Sequence, residues 1–194
     1  MKYLLLLFTT VFLISCNDNK INSQETEKLT AQDQKKYSEI GLEFAKATQT
    51  LLGKNLMEKI QKEGATEALA FCNIEAMPLT ATMSTKYNAD IKRVSDKNRN
   101  PDNKANEEEL KYIAKFKKEA ADNIESTPIV ISQGEKVHFY YPILTNTMCL
   151  QCHGKAEDIK PKVAVKINNL YPNDLAIGYS ENEVRGIWSI VFDK

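Results

Sequence analysis

The chain has 194 residues, and 26 Lys and Arg stand against 26 Asp and Glu, so its formal net charge is zero. That balance argues against nucleic acid, whose partners ordinarily carry a basic excess, and against a polyanionic or strongly cationic partner. With 42% hydrophobic and 27% charged residues an ordinary globular core is available, and the length fits one domain plus a targeting segment and a tether.

Residues 1–15 read as a lipoprotein signal peptide. Met1-Lys2 is a short basic start, and Tyr3 to Ile14 is an almost unbroken apolar run. The run is too short to span a bilayer as a stable helix and suits a signal-peptide core. It ends Leu13-Ile14-Ser15-Cys16, which resembles the bacterial lipobox. That resemblance implies cleavage before Cys16 and a diacylglycerol on its sulfur. The expected location is then extracytoplasmic, on the periplasmic side, with a lipid anchor in a bacterial membrane. Residues 16–33 are polar and cannot bury enough surface to order themselves, so they read as a flexible tether. Residues 34–194 read as the folded domain, and no later segment is apolar enough to cross a membrane.

From Asp33 to Lys62, Tyr37, Ile40, Phe44, Ala47 and Leu51 recur at spacings of three and four, which predicts a helix stopping near Gly64. A second helix is expected over Thr66–Ala76, interrupted by Pro78, with a further turn or two toward Lys86. Asn88 to Asn106 is rich in Asn, Asp and Pro and reads as a loop anchored by Ile91 and Val94. Asn106 with Glu109 forms a capping-box pattern ahead of a helix whose apolar face is Leu110, Ile113, Phe116 and Ala120. After Thr127 the period changes. Ile129–Ser132, Gln133-Gly134 and Lys136–Tyr141 predict a β-hairpin, Val163–Ile167 a third strand and Arg185–Phe192 a fourth. The expected class is α+β, with N-terminal helices followed by an antiparallel sheet and an insertion between strands.

Cys149-Leu150-Gln151-Cys152-His153, in that insertion, is a C-x-x-C-H run. Two thiols three positions apart on one turn can reach both vinyl groups of one haem, and the adjacent His comes up beneath the iron as proximal ligand. A redox dithiol reading lacks a surrounding βαβ pattern. A zinc reading lacks a second Cys/His pair. A structural disulfide is permitted by export. The motif predicts one covalently attached haem c per chain. The opposite axial position is open between Cys72, His138, Met77, Met83 and Met148, or no side chain. By spacing, Cys72 reads equally as a buried thiol and as a ligand. Arg93 and Arg99 are candidates for the haem propionates, since guanidinium pairs well with carboxylate. The alternatives are a surface charge at Arg93 and a turn at Arg99-Asn100-Pro101.

The ordered set Ala70-Phe71-Cys72, Ala76-Met77-Pro78, Arg93-Val94-Ser95, Arg99-Asn100-Pro101 with Asn103, Glu107, Tyr141-Pro142-Ile143, the C-x-x-C-H run with Gly154, Gly178-Tyr179 and Arg185-Gly186 resembles a family of small bacterial c-type haem domains. These have a PAS-like sheet and occur alone or as extracytoplasmic input modules of sensor proteins. The resemblance implies His153 and Cys72 as axial ligands, with haem between the helical Cys72 segment and the sheet-side loop. The single haem, the anchor and the absence of a catalytic constellation favour a membrane-tethered electron-transfer or redox-response protein with an unidentified redox partner. The alternative is a haem-based redox or gas sensor signalling through a partner protein, since release of the thiolate on reduction would open a site for a small gas. With no evident distal acid–base group, an enzyme is not expected.

Overall fold

The apolar spacing that begins at Tyr37 folds as one long helix, α1 (Ala31–Glu63), opened by the Thr30 hydroxyl, which accepts the Asp33 N–H at 3.1 Å. Gly64 closes it and turns the chain into α2 (Ala65–Tyr87). The computed structural model describes residues 26–194; the signal peptide and Cys16 lie outside the described residues. The further elements are β1 (Thr26–Glu27), β2 (Asp90–Val94), α3 (Glu107–Ala121), β3 (Ile129–Gln133), β4 (Lys136–Leu144), α4 (Thr147–His153), α5 (Pro161–Leu170) and β5 (Val184–Asp193). The strands form one antiparallel sheet in the order β1-β3-β4-β5-β2. The architecture is α+β and PAS-like, with the C-x-x-C-H segment inserted between β4 and β5. Among the described residues no helix is long and apolar enough to cross a membrane.

Several expectations change. Pro78 does not interrupt α2. Proline removes one intrahelical N–H, but Leu69 before it and Met83 after it are both buried, so tertiary packing holds the helix on either side. The loop read over Asn88–Asn106 contains β2, an edge strand paired with β5. Its two buried residues, Ile91 and Val94, are three positions apart and enter cores on opposite faces of the sheet, so no apolar alternation marks the strand. Val163–Ile167 is helical, within α5, and not a strand. Pro161 opens that helix, and the buried Val163 and Ile167 lie one turn apart on a single face. Inside the stretch read as a tether, Thr26–Glu27 pairs with Ser132 and Gln133. Main-chain hydrogen bonds to an open sheet edge need no apolar side chains. The hairpin and the capping box stand as read: Gly134 takes a positive φ of 56° in the β3–β4 turn, and Asn106 and Glu109 cap each other's N–H groups at 2.9 and 2.8 Å.

The α1–α2 hairpin lies on one face of the sheet. There Val137, Phe139, Trp188, Ile190, Phe192 and Ile91 pack with Tyr37, Ala45 and Met83. Contact is closest at Gly41, where an added Cβ would stand 2.1 Å from the Phe139 ring. On the opposite face α3 brings Ile113 and Phe116 onto Tyr140, Val184, Ile187 and Val94. The hairpin runs beyond this core, since α1 is 33 residues, about 50 Å long at the usual rise. Its far end walls the site.

Candidate functional site

A cavity of about 360 Å³ opens between the second half of α1, the first half of α2, α4 and one end of the sheet. That is within the size range of small-molecule and cofactor pockets. Leu52, Leu56 and Ile60 form its α1 wall, and Trp188, Gly186 and Ile143 form its sheet wall. Cys72, Arg93, Arg99, Cys149, Cys152, His153 and Arg185 all line it.

α4 is short, and Asn146 starts it by accepting the Cys149 N–H at 3.3 Å. Helical periodicity then sets Cys149, Cys152 and His153 at i, i+3 and i+4, on one face. The His153 Nδ1 lies 2.7 Å from the carbonyl oxygen of Ala176. A carbonyl only accepts, so Nδ1 carries the proton and Nε2 keeps its lone pair. Arg185 Nε, 3.3 Å from the same nitrogen, is then a close neighbour and not a donor to it. Burial, with the Arg99 and Arg185 cations nearby, holds this imidazole well below the usual histidine range and therefore neutral, against the pull of the Ala176 bond.

Three guanidinium groups converge on the cavity. Arg99 is fully engaged: Nε and Nη2 donate to the Asp174 carboxylate at 3.1 and 2.9 Å, and Nη2 also donates to Cys152 O at 2.6 Å. Both side chains of this ion pair are almost wholly buried. Arg185 Nη1 is held by Ser95 Oγ at 3.0 Å and Lys97 O at 3.1 Å. Arg93 makes only long contacts, 3.4 Å each to Ala76 O and Thr80 Oγ1, and its buried Nε has no hydrogen-bond partner among the described residues. Neither Arg93 nor Arg185 forms a salt bridge there. Burial and the nearby Cys152 push the Cys72 thiol up to about 11, with Arg93 and Arg99 pulling the other way. Burial also raises Cys152, opposed by Arg99.

The segment after α5 is strapped to this site. Gly178 N–H donates to Gly154 O at 2.8 Å and Tyr179 N–H to His153 O at 3.0 Å. Lys97 Nζ reaches Ile177 O at 2.6 Å. Of the axial candidates read from the sequence, Cys72, Met77 and Met148 line the cavity, whereas His138 and Met83 do not. Met83 belongs to the apolar core, and His138 sits in the sheet opposite Ile131 and Val191. Asp174, Ala176 and the guanidinium of Arg185 were not legible as site residues. Asp174 meets Arg99 across 75 positions, and a lone carboxylate in a Pro-Asn-Asp loop carries no pattern that marks it.

The donor set fits a covalently held haem. It offers two thiols and an imidazole on one face of α4, a further thiol from α2, and two guanidinium groups with no carboxylate of their own, where haem brings two propionates.

Fold and site together define a PAS-like α+β domain with a Cys/His-lined cavity at one end of its sheet. The chain belongs to the Tll0287-like family, whose model matches residues 22–192. Among solved structures it is similar to one titled crystal structure of the cyanobacterial heme-protein Tll0287, with a TM-score of 0.56 and 16% identity, covering 86% of this chain and 98% of that one. Among curated proteins, none is similar enough in sequence to be matched.

Proposed function

We propose that this protein is an exported, lipid-anchored monohaem c-type cytochrome that acts in electron transfer or redox response, not an enzyme. The observation that carries the reading is the meeting of Cys149, Cys152 and His153 from α4 with Cys72 from α2 around one cavity. The similarity to a solved haem protein supports it. In this reading Cys149 and Cys152 would hold the haem covalently, and His153 Nε2 and Cys72 Sγ would be its iron ligands. When bound, haem supplies a one-electron ferric/ferrous couple. A Cys72 thiolate would favour the oxidised form and lower the potential relative to Met ligation. Arg93 and Arg185 take the propionates. Arg99, the other arginine read from the sequence for that task, is instead taken up by Asp174. Cys16 carries the lipid, and residues beyond it reach the domain from an extracytoplasmic membrane surface to an unidentified redox partner.

A second reading, a haem-based redox or gas sensor signalling through a partner protein, is favoured by one feature. Cys72 comes from a different element than the attachment residues, so its departure would leave α4 unchanged and open one axial position to a small gas. Ferrous protein that binds CO or NO with loss of the sulfur-ligand spectrum supports sensing; a ligand set that survives redox cycling without binding gas supports electron carriage.

The test of both is purification of the full chain from cells with an intact cytochrome-maturation system. Colour retained after denaturation, a pyridine haemochrome spectrum and a mass increment of one haem are expected. A mass of polypeptide and lipid alone sinks the proposal. An unchanged ferric spectrum in Cys72→Ala removes Cys72 as a ligand.

A further inference from the structure

We infer that Asp174 is a positioning residue for His153, acting through the backbone of Ala176. The inference rests on the haem reading for its consequence, which is the donor strength of the imidazole.

The geometry is a short relay. Asp174 Oδ1 accepts the Ala176 N–H at 2.9 Å and the Arg99 Nε–H at 3.1 Å. Its Oδ2 accepts from Arg99 Nη2 at 2.9 Å. One carboxylate therefore anchors Ala176 through its N–H and also holds Arg99, whose Nη2 reaches the Ala176 carbonyl at 3.4 Å, beside the His153 Nδ1–H that this carbonyl accepts at 2.7 Å. Arg99 closes the circuit, because its Nη2 also donates to Cys152 O, one residue before His153, at 2.6 Å. Ala176 is fully buried and has only a methyl group, so its own side chain cannot hold its carbonyl in place. The Asp174 and Arg99 side chains are only 5% and 9% exposed. A buried ion pair is often replaceable by apolar residues without loss of stability, so stability alone does not account for its placement between the two residues that orient the imidazole. The Nδ1–H bond locks the tautomer that leaves Nε2 free and raises the basicity of the ring. Asp174 thereby sets how strongly His153 donates.

The experiment compares the matured full-length wild type with Asp174→Asn and Asp174→Ala. Asn drops the charge but keeps an oxygen for the Ala176 N–H; Ala drops both. The readouts are the midpoint potential and the His153 Nδ1–H resonance in the diamagnetic ferrous form. In Asp174→Ala the proton should exchange at least tenfold faster and move upfield, and the potential should rise. Asp174→Asn should fall between Ala and wild type. A tenfold change in the ferric/ferrous ratio corresponds to about 59 mV for one electron. Equal potential shifts in both variants with the His153 proton unmoved would mean a charge effect only, and would overturn the inference. Should Asp174→Ala fail to accumulate, Asp174→Glu keeps the charge beside Arg99 while its longer chain misplaces the oxygen that held Ala176. The proton signal should still move, and an unmoved signal overturns the inference equally. Absence of covalent haem in the wild type sinks the haem reading alone. The ¹⁵N ring spectrum of the full chain then reads the same relay, as an Nδ1–H tautomer in wild type and a tautomer mixture in Asp174→Ala.

Discussion

The two ends of the α1–α2 hairpin do different work. At one end Tyr37, Gly41 and Ala45 of α1 and Met83 of α2 close on Phe139 and its neighbours. The packing there is mainly apolar, with Phe139 and Ile190 fully buried and Ser132, opposite Val137, a buried polar exception. At the other end Leu52, Leu56 and Ile60 face a cavity in which three thiols, an imidazole and three guanidinium groups meet, with a single carboxylate, Asp174, paired among them. The contrast separates two kinds of completeness. The closed end is filled by apolar packing. The open end has more donor groups than the chain pairs off, and that surplus has the composition a haem would complete.

The comparison can be broken first at the open end. Cys149→Ala with Cys152→Ala should abolish haem that survives denaturation, while the far-ultraviolet circular dichroism of the sheet is kept; loss of the fold as well would mean the two ends are not independent. At the closed end, Phe139→Ala should cost about 4 kcal/mol by chemical denaturation, the usual toll of a large core cavity, with the haem spectrum of the surviving folded fraction unchanged. Arg99→Gln attacks the boundary. It leaves the Asp174 carboxylate buried without its partner, so a loss of about 3 kcal/mol is expected, together with altered haem spectra that Phe139→Ala does not produce. Away from both, Asn106→Ala removes the α3 cap and should cost about 1 kcal/mol, leaving spectra and potential as they were.

The smallest effect is in base. Burial, then the hydrogen bond and charge of Glu108, push the Tyr112 phenol from 10.0 to about 12. A phenol raised in the folded state contributes stability that is complete below its unfolded value and is lost as the pH climbs through the folded one. The contribution should fade between roughly pH 10 and 12. Phenolate absorbance should show late-titrating tyrosines, since burial raises Tyr140 and Tyr171 as well; the component lost in Tyr112→Phe should move down in Glu108→Gln, and an unmoved component would show that burial alone holds it.

Much of this was legible in one dimension because its physics is local. The C-x-x-C-H spacing needs only one helical turn to place two thiols and an imidazole on one side. The capping box, the Gly134 hairpin turn and the α1 periodicity also depend on neighbours within a few residues. The alternation in Val163–Ile167 misled because β-branched residues at period two mimic a strand, while Pro161 and the i,i+4 pair of Val163 and Ile167 mark a helix.

What tertiary structure alone decided is which distant groups share the cavity. Of the five axial candidates, folding put Cys72, Met77 and Met148 on the wall and left His138 in the sheet and Met83 in the core. Arg93 and Arg99 looked alike as sequence. Folding gave Arg99 a carboxylate 75 positions away and left Arg93 with an unpaired Nε. The difference has one cause. Bonding within a turn is set by residue spacing, whereas the pairing of buried charges is set by which surfaces the core brings together.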